Sequence, residues 1–346
     1  RLLLTMYLNQ QLRVRWSSCS TKYFDISNGV KQGGVISPIL FCIYMDGLLI
    51  ELAKSGVGCY VGLVFAGAFG YADDLTLLAP TVSALRKMCT ICENYAKSYD
   101  ILFNGKKSQL IIFKHSRCEP SDPGIYLNDE KIPRVNEVVH LGHKLSDEIY
   151  KYDVSKCVDD FNRQCNMFLS DFKNANSHIR NSLFHTYCSS FYGVQVLPLF
   201  DPCFNQILVA CRKAIRKTWR IPWQTHKNLL PHITDCLSPD LWFAKRFMNF
   251  INDATSSKNA TVLHIANIGV MGLHSILGSN RCFLNEFYGM QNDNVLKCWH
   301  EICDVSEEIL RTAAQIREVC GMRDYYEDKF LTYNECQCIL EFLCTS

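Results

Sequence analysis

Apolar positions change their spacing along this chain near Ser146, and the predicted elements change with them. Upstream, short apolar runs alternate with turn residues. Downstream, a period near 3.6 dominates and predicts helices. Residues 1–16 read as the end of an amphipathic helix, and residues 23–26 as a short strand. A glycine-rich loop follows. The next helix has clear punctuation: Ser37 as N-cap, Pro38 at the first helical position, and Gly56 past the last turn. Leu40, Tyr44, Leu48 and Leu52 recur every fourth residue and predict its buried face. The apolar runs 61–69 and 75–79 bracket Gly70-Tyr71-Ala72-Asp73-Asp74, which predicts a hairpin. Thr81 is placed to cap a further helix whose stripe is Leu85, Met88, Cys92, Tyr95 and Tyr99. Asn104-Gly105 reads as a turn and 110–113 as a buried strand, and residues 125–127, the turn at Asn128-Asp129 and a strand ending near Leu141 read as a second hairpin. The expected class is α+β, with boundaries after residue 145 and within the stretch 222–231.

Composition narrows this. With 48% hydrophobic and 20% charged residues in 346, the chain can bury a large core, and wholesale disorder is excluded. A net charge of +2 excludes a protein that coats nucleic acid with its whole surface, so any such contact must come from local basic stripes. The 19 cysteines are odd in number and scattered, which predicts a reducing compartment and thiols used as small core residues. The apolar runs fall short of the about 20 residues of a membrane span, and no signal peptide is present, so an intracellular location without a membrane partner is expected. Arg1 reads as the middle of a helix, so a preceding segment is expected.

Two features carry chemistry. The tandem Asp73-Asp74 sits at the tip of the first hairpin, where adjacent carboxylates repel unless a cation neutralises them; hard oxygens suit Mg²⁺. Taken alone, the pair is equally an exposed turn. The loop Gly29 to Gly34 lets backbone approach a ligand and feeds a helix N-terminus that offers free N–H groups to phosphate. Alone, it is equally a flexible turn. The helical half adds a basic face: Arg212, Arg216 and Arg220 at four-residue spacing, flanked by Lys213 and Lys217. Ile207, Cys211, Ala214, Ile215, Thr218 and Trp219 lie on the opposite side. Such a face positions a phosphate backbone without reading sequence, or is simply solvated. Trp219 and Trp223 are candidates for stacking on bases or for core and interface packing.

The order of these motifs resembles the reverse transcriptases. The segment from Asn28 through Gln32-Gly33-Gly34 to Ser37-Pro38 and Phe41 is similar to the loop and helix that follow the family's first catalytic motif. Phe69-Gly70-Tyr71-Ala72-Asp73-Asp74-Leu75 resembles its Tyr-x-Asp-Asp hairpin. Leu102 to Ser108, with Asn104 and Lys107, resembles the next palm motif, and His140-Leu141-Gly142 the turn of the primer grip. The likeness spans about residues 20–145 and is strongest to the non-LTR (LINE-type) retrotransposon branch. It implies a partial palm over 1–145, built as an antiparallel sheet with helices. A helical thumb over 146–225 and a helical carboxyl-terminal region over 226–346 complete the implied architecture. It implies RNA-directed DNA polymerase activity with two Mg²⁺ ions, or Mn²⁺ as substitute, held by Asp73 and Asp74, with Lys107 near the triphosphate. Gln32, Gly33, Gly34 and Tyr71 become nucleotide-pocket residues, Leu141 and Gly142 the primer grip, and the basic helix a template–primer contact. The implied partners are an RNA template, a DNA primer, dNTP, and an upstream part of the same polypeptide that carries the fingers and, in some elements, an endonuclease. The location is a nuclear or cytoplasmic ribonucleoprotein. The family's first catalytic aspartate has no counterpart here; Asp25 lies in the wrong strand. The fragment alone is therefore expected to be inactive. The alternatives are a non-catalytic retroelement remnant that binds nucleic acid, a host-adopted maturase-like or telomerase-like relative, and an unrelated metal-dependent phosphotransferase. Cys298, His300, Cys303, Cys336 and Cys338 do not match the spacing of a zinc knuckle, and Cys89-x₂-Cys92 falls on a helix, which disfavours a redox role.

Overall fold

The computed structural model describes residues 5–288 except positions 6, 9, 27–28, 32, 114–120, 149–153, 190, 235–236 and 273, and omits the side chains at 177–178 and 287–288. The candidate nucleotide-pocket residue Gln32 and the cysteines and histidine from Cys298 to Cys338 lie outside the described residues. The chain divides into two compact units, one up to Val138 and one from Val139.

Of the helix expected over 1–16, Thr5 and Tyr7 are helical, but the helix does not run on to residue 16. By Gln11 the chain is extended: β1 (Gln11–Leu12) pairs antiparallel with β4 (Phe24–Asp25), and β2 (Arg15–Trp16) with β3 (Cys19–Ser20). Local pairing wins because Arg13 to Trp16 alternates charged and apolar residues, and Ser17 turns the chain at φ 54°. The Gln11 amide also donates to the Asp25 carboxylate at 2.9 Å.

Helix α1 (Ser37–Lys54) starts with proline in its first turn, but its N-cap position is Ile36. Ser37 does not cap: its hydroxyl donates to the Lys31 carbonyl at 2.6 Å and folds the glycine loop back onto the helix start. The buried face runs through Met45, Leu48 and Leu52 with Phe41 packed beside it, rather than through Leu40 and Tyr44. A strict four-residue spacing drifts about 40° per step on a 3.6-residue helix, so a straight stripe must mix threes and fours.

The run 61–69 breaks at Gly62 (φ +61°) into β5 (Tyr60–Val61) and β6 (Val64–Phe65), and only then enters β7 (Ala68–Tyr71), which pairs with β8 (Asp74–Leu77). In α2 (Val82–Tyr99) the Thr81 hydroxyl accepts from the Ala84 N–H at 3.2 Å, as its position in the sequence predicts. Met88, Cys89, Cys92, Tyr95 and Ala96 are buried. Tyr99, expected in the stripe, is exposed because the helix unwinds at Asp100 (φ 53°) one residue later. Burial raises the Cys89 thiol to about 11 and the Cys92 thiol to about 12, so neither is a thiolate near neutral pH.

The expected strand 110–113 reduces to one bridging residue. The Leu110 N–H donates to the Pro133 carbonyl at 3.0 Å and its carbonyl accepts from Val135 at 2.9 Å, and Pro133 has no N–H with which to extend the ladder. The second hairpin, β9 (Tyr126–Leu127) and β10 (Glu130–Lys131), turns through Asn128 and Asp129, both at positive φ. Among the described residues the strands form six separate antiparallel pairs rather than one antiparallel sheet, since none exceeds four residues.

A further pair, β11 (Glu137–His140) and β12 (His143–Ser146), turns at Leu141-Gly142, both at positive φ. Beyond it, every described regular element is helical: α3 (Ser155–Asp171), α4 (Ser177–Tyr187), a 3₁₀ turn (Val194–Val196), α5 (Phe204–Trp219), α6 (Leu230–Thr234), α7 (Pro239–Thr255), α8 (Ala260–Met271) and α9 (Ile276–Tyr288). The core of this second unit gathers Phe161, Phe168, Phe184, Ile207, Trp219 and Phe243 around α5. Leu241, Ala244, Phe247, Ile251 and Leu284 form a smaller core between α7 and α9. Among the described residues no single helix is long and apolar enough to cross a membrane.

Candidate active-site hairpin and basic cleft

The hairpin β7–β8 puts Ala72 and Asp73 in a two-residue turn, with Tyr71 opposite Asp74 in the last ladder pair. Ala72 takes the left-handed φ (+50°), which lets so short a turn close. Tyr71, Asp73 and Asp74 are all exposed. Among the described residues neither carboxylate has a hydrogen-bond or ion-pair partner. Two carboxylates on neighbouring residues thus stand at the end of the hairpin with no cationic partner among the described residues.

The element is rigid because of what lies beneath. Leu75 and Leu77 of β8 and Ala68 of β7 pack on the core formed by Met45, Leu48 and Leu52 of α1 and Met88, Cys92 and Tyr95 of α2. Gly70 faces α1 closely: a side chain there would meet Leu49 at 3.5 Å. The helix that begins at the glycine loop is therefore the helix on which the acidic hairpin is seated. At the loop, Gly33 has φ +77°, open to glycine and strained for other residues, and a side chain at Gly34 would run into the Ser37 hydroxyl.

Lys107 lies in the turn after Asn104, exposed, with its N–H donating to Asn104 Oδ1 at 3.1 Å. Its neighbour Lys106 is 3.6 Å from Glu130, so Lys106 is committed to the second hairpin. Leu141 and Gly142 belong to the second unit, where Gly142 lies against Tyr192 and the Tyr192 ring is 5.0 Å from His143.

Asp73 and Asp74 supply hard, anionic oxygens. Among the described residues they join no cluster of three metal-binding side chains. That fits Mg²⁺, which is commonly held by one or two carboxylates, with waters and substrate phosphates completing its shell.

In the second unit the basic helix is α5, and its five cations divide into two kinds. The arginines are half-buried and bound to protein. Arg212 donates to both oxygens of Asp240 at 3.0 and 2.8 Å, Arg216 donates twice to the Thr225 carbonyl, and Arg220 donates to the Lys173 carbonyl. Burial holds the Arg216 guanidinium below its usual range, with Arg212 nearby adding to the effect. Lys213 and Lys217 are exposed. Of the two tryptophans singled out, Trp219 is core at 1% exposure and Trp223 is 84% exposed. The same helix lines a cleft of about 1140 Å³ together with Asn162, Asn166, Lys173, Trp223 and Lys227. The sequence pattern misses most of these, because they come from α3 and two loops that only the fold assembles.

Residues 2–145 match the model of the family described as reverse transcriptase (RNA-dependent DNA polymerase). Three relatives are similar to part of the chain. One is a retrovirus-related Pol polyprotein from the type-2 retrotransposable element R2DM of Drosophila melanogaster, 32% identical over 134 residues (37% of this chain, 12% of that protein). Another is a probable RNA-directed DNA polymerase from transposon X-element of the same fly, 24% identical over 147 residues (40% and 15%). A third is a retrovirus-related Pol polyprotein from the type-1 retrotransposable element R2 of Nasonia vitripennis, 35% identical over 81 residues (23% and 8%). The chain spans less than a fifth of the length of these relatives. The glycine loop, the acidic hairpin and the helix that joins them all lie inside residues 2–145, the segment that matches the reverse-transcriptase family model, and the chain is similar in part to these retrotransposon proteins.

Proposed function

We propose that this chain is the polymerase portion of a retrotransposon protein that copies an RNA template into DNA, joining a dNTP to a primer 3′-hydroxyl. The observation that carries the reading is the pair of uncommitted carboxylates at Asp73 and Asp74, held on a hairpin that is seated on the glycine-loop helix. In this reading 1–145 serves as part of the palm, 146–225 as the thumb and 226–346 as a helical extension. Asp73 and Asp74 hold the metal. When bound, two Mg²⁺ ions, or Mn²⁺ in their place, supply activation of the attacking hydroxyl and charge neutralisation at the leaving pyrophosphate. Gln32, Gly33 and Gly34, with Tyr71, bring backbone and a short amide against the template base and incoming nucleotide. Lys107, exposed at a turn, holds a proton for the departing pyrophosphate. Leu141 and Gly142 seat the primer end. The protein works with RNA template and DNA primer in a nuclear or cytoplasmic ribonucleoprotein. In this reading the 346-residue chain on its own turns over poorly.

The test is primer extension on an RNA template with Mg²⁺ and dNTPs, comparing the whole parent protein, its Asp73→Asn variant and this chain. Activity in the parent that falls about a hundredfold or more in the variant supports the reading. A parent that binds template–primer tightly and extends nothing overturns it in favour of a non-catalytic nucleic-acid-binding remnant.

A further inference from the structure

The cleft beside α5 is a concentration of charge that the composition does not explain. Over the whole chain 36 Lys and Arg nearly balance 34 Asp and Glu. Of the sixteen residues that line the cleft, eight are Lys or Arg and none is Asp or Glu. Three of the four arginine side chains, Arg212, Arg216 and Arg220, are held by Asp240 and by two main-chain carbonyls, so they form fixed walls. Lys173, Lys213, Lys217 and Lys227 carry exposed side chains around them. Lys213 and Lys217 lie one turn apart, about 6 Å along the helix, which suits successive phosphates of one strand. Beside these cations stand features with no use for bare phosphate. Trp223 presents an indole that is 84% exposed. Asn162 and Asn166, four residues apart on α3, line the same cleft and carry amides that can both donate and accept.

We infer that this cleft binds a single-stranded polynucleotide, with phosphates on the lysines, a base stacked on Trp223, and base edges met by Asn162 and Asn166. A cleft of about 1140 Å³ has room for a few linked nucleotides. A base inside a duplex is already stacked on its neighbours and cannot lie on an indole without being pulled out. Cations with an aromatic platform are the chemistry by which single strands are held with little regard for sequence. The inference rests on the reading of α5 as a nucleic-acid face and not on Asp73 and Asp74 being catalytic.

The experiment is fluorescence anisotropy of the full 346-residue chain with a labelled single-stranded oligouridine of about 12 nucleotides and with an RNA duplex of equal length, without divalent ions or dNTP. The single strand is expected to bind more tightly than the duplex. Its log affinity should fall with log salt at a slope that the Lys213→Gln/Lys217→Gln variant makes shallower by about 1.4. Trp223→Ala should weaken binding about five- to hundredfold and leave the slope unchanged. Both changes are at exposed side chains, and circular dichroism verifies the fold of each variant. Tighter duplex binding overturns the inference and leaves the template–primer reading standing; absence of any binding removes both. An unchanged slope in the lysine variant, a neutral Trp223→Ala, or full competition by polyglutamate also overturns it.

Discussion

Arg212 and Lys213 are adjacent in sequence and look alike to any count of basic residues, yet the fold gives them opposite duties. Replacing Arg212 by Met keeps most of the side chain's length and apolar packing while removing the guanidinium that binds both oxygens of Asp240. The pair is 13% and 28% exposed, between two well-characterised limits. Breaking a fully buried pair costs about 3–5 kcal/mol, and an exposed one about 0–1 kcal/mol. Asp240 keeps some water and lies in the first turn of α7, where the helix dipole returns about 0.3–1 kcal/mol. The expected loss is therefore about 1–3 kcal/mol. Lys213→Gln, at an exposed position, should stay within about 0.5 kcal/mol. Urea unfolding followed by tryptophan fluorescence reads both, since Trp219 is buried in the same unit. The Arg212→Met midpoint should fall by about 1 M at unchanged slope. A double-mutant cycle with Asp240→Asn isolates the pair. Equal stability of the two single variants, or a cycle without coupling, would refute the division of α5 into structural arginines and available lysines.

Two further expectations follow from buried positions. Burial holds the His185 imidazole, edge-on to Trp242, below its usual range, so on acidification the unfolded chain takes up this proton first. The contribution of His185 to stability should thus be intact above about pH 6.5 and decline as the pH falls below it, and urea midpoints measured across about pH 7.5 to 5 should drop less steeply in His185→Gln. In the first unit Leu48 is fully buried beneath the acidic hairpin, so Leu48→Ala should cost about 2–5 kcal/mol in thermal unfolding, whereas the exposed Ile43→Ala on the same helix should be close to neutral.

What could be read from the sequence was local and self-sufficient. Thr81 caps α2 because a hydroxyl three residues before an unpaired N–H needs no distant partner. Asn128-Asp129 turns where short polar residues accept positive φ. The apolar side of α5 was legible because eight residues share one period. What depended on a partner was not. The segment 110–113 looked like a strand and lacked a ladder, because its neighbour brought Pro133. Residues 11–16 looked helical until Asp25 and Ser20 offered pairing. The arginines of α5 looked like a solvent face because Asp240, Thr225 and Lys173 are distant in sequence. For the acidic hairpin the motif was plain, while its seating on α1 was written only in the packing of Leu75, Leu77 and Leu48.

Arg216 and Arg220 anchor the cleft wall to main-chain carbonyls, at Thr225 and Lys173. A carbonyl is present whatever amino acid stands at those positions. Substitutions can remove the hydroxyl of residue 225 or the ammonium of residue 173 and still leave both anchors. Arg→Lys on the other side leaves a single point donor where Arg216 uses two nitrogens on one oxygen. Tolerance to drift is therefore one-sided at these two anchors: each needs its arginine, while its main-chain acceptor is beyond the reach of point mutation; Arg212, held by the Asp240 carboxylate, lacks that protection.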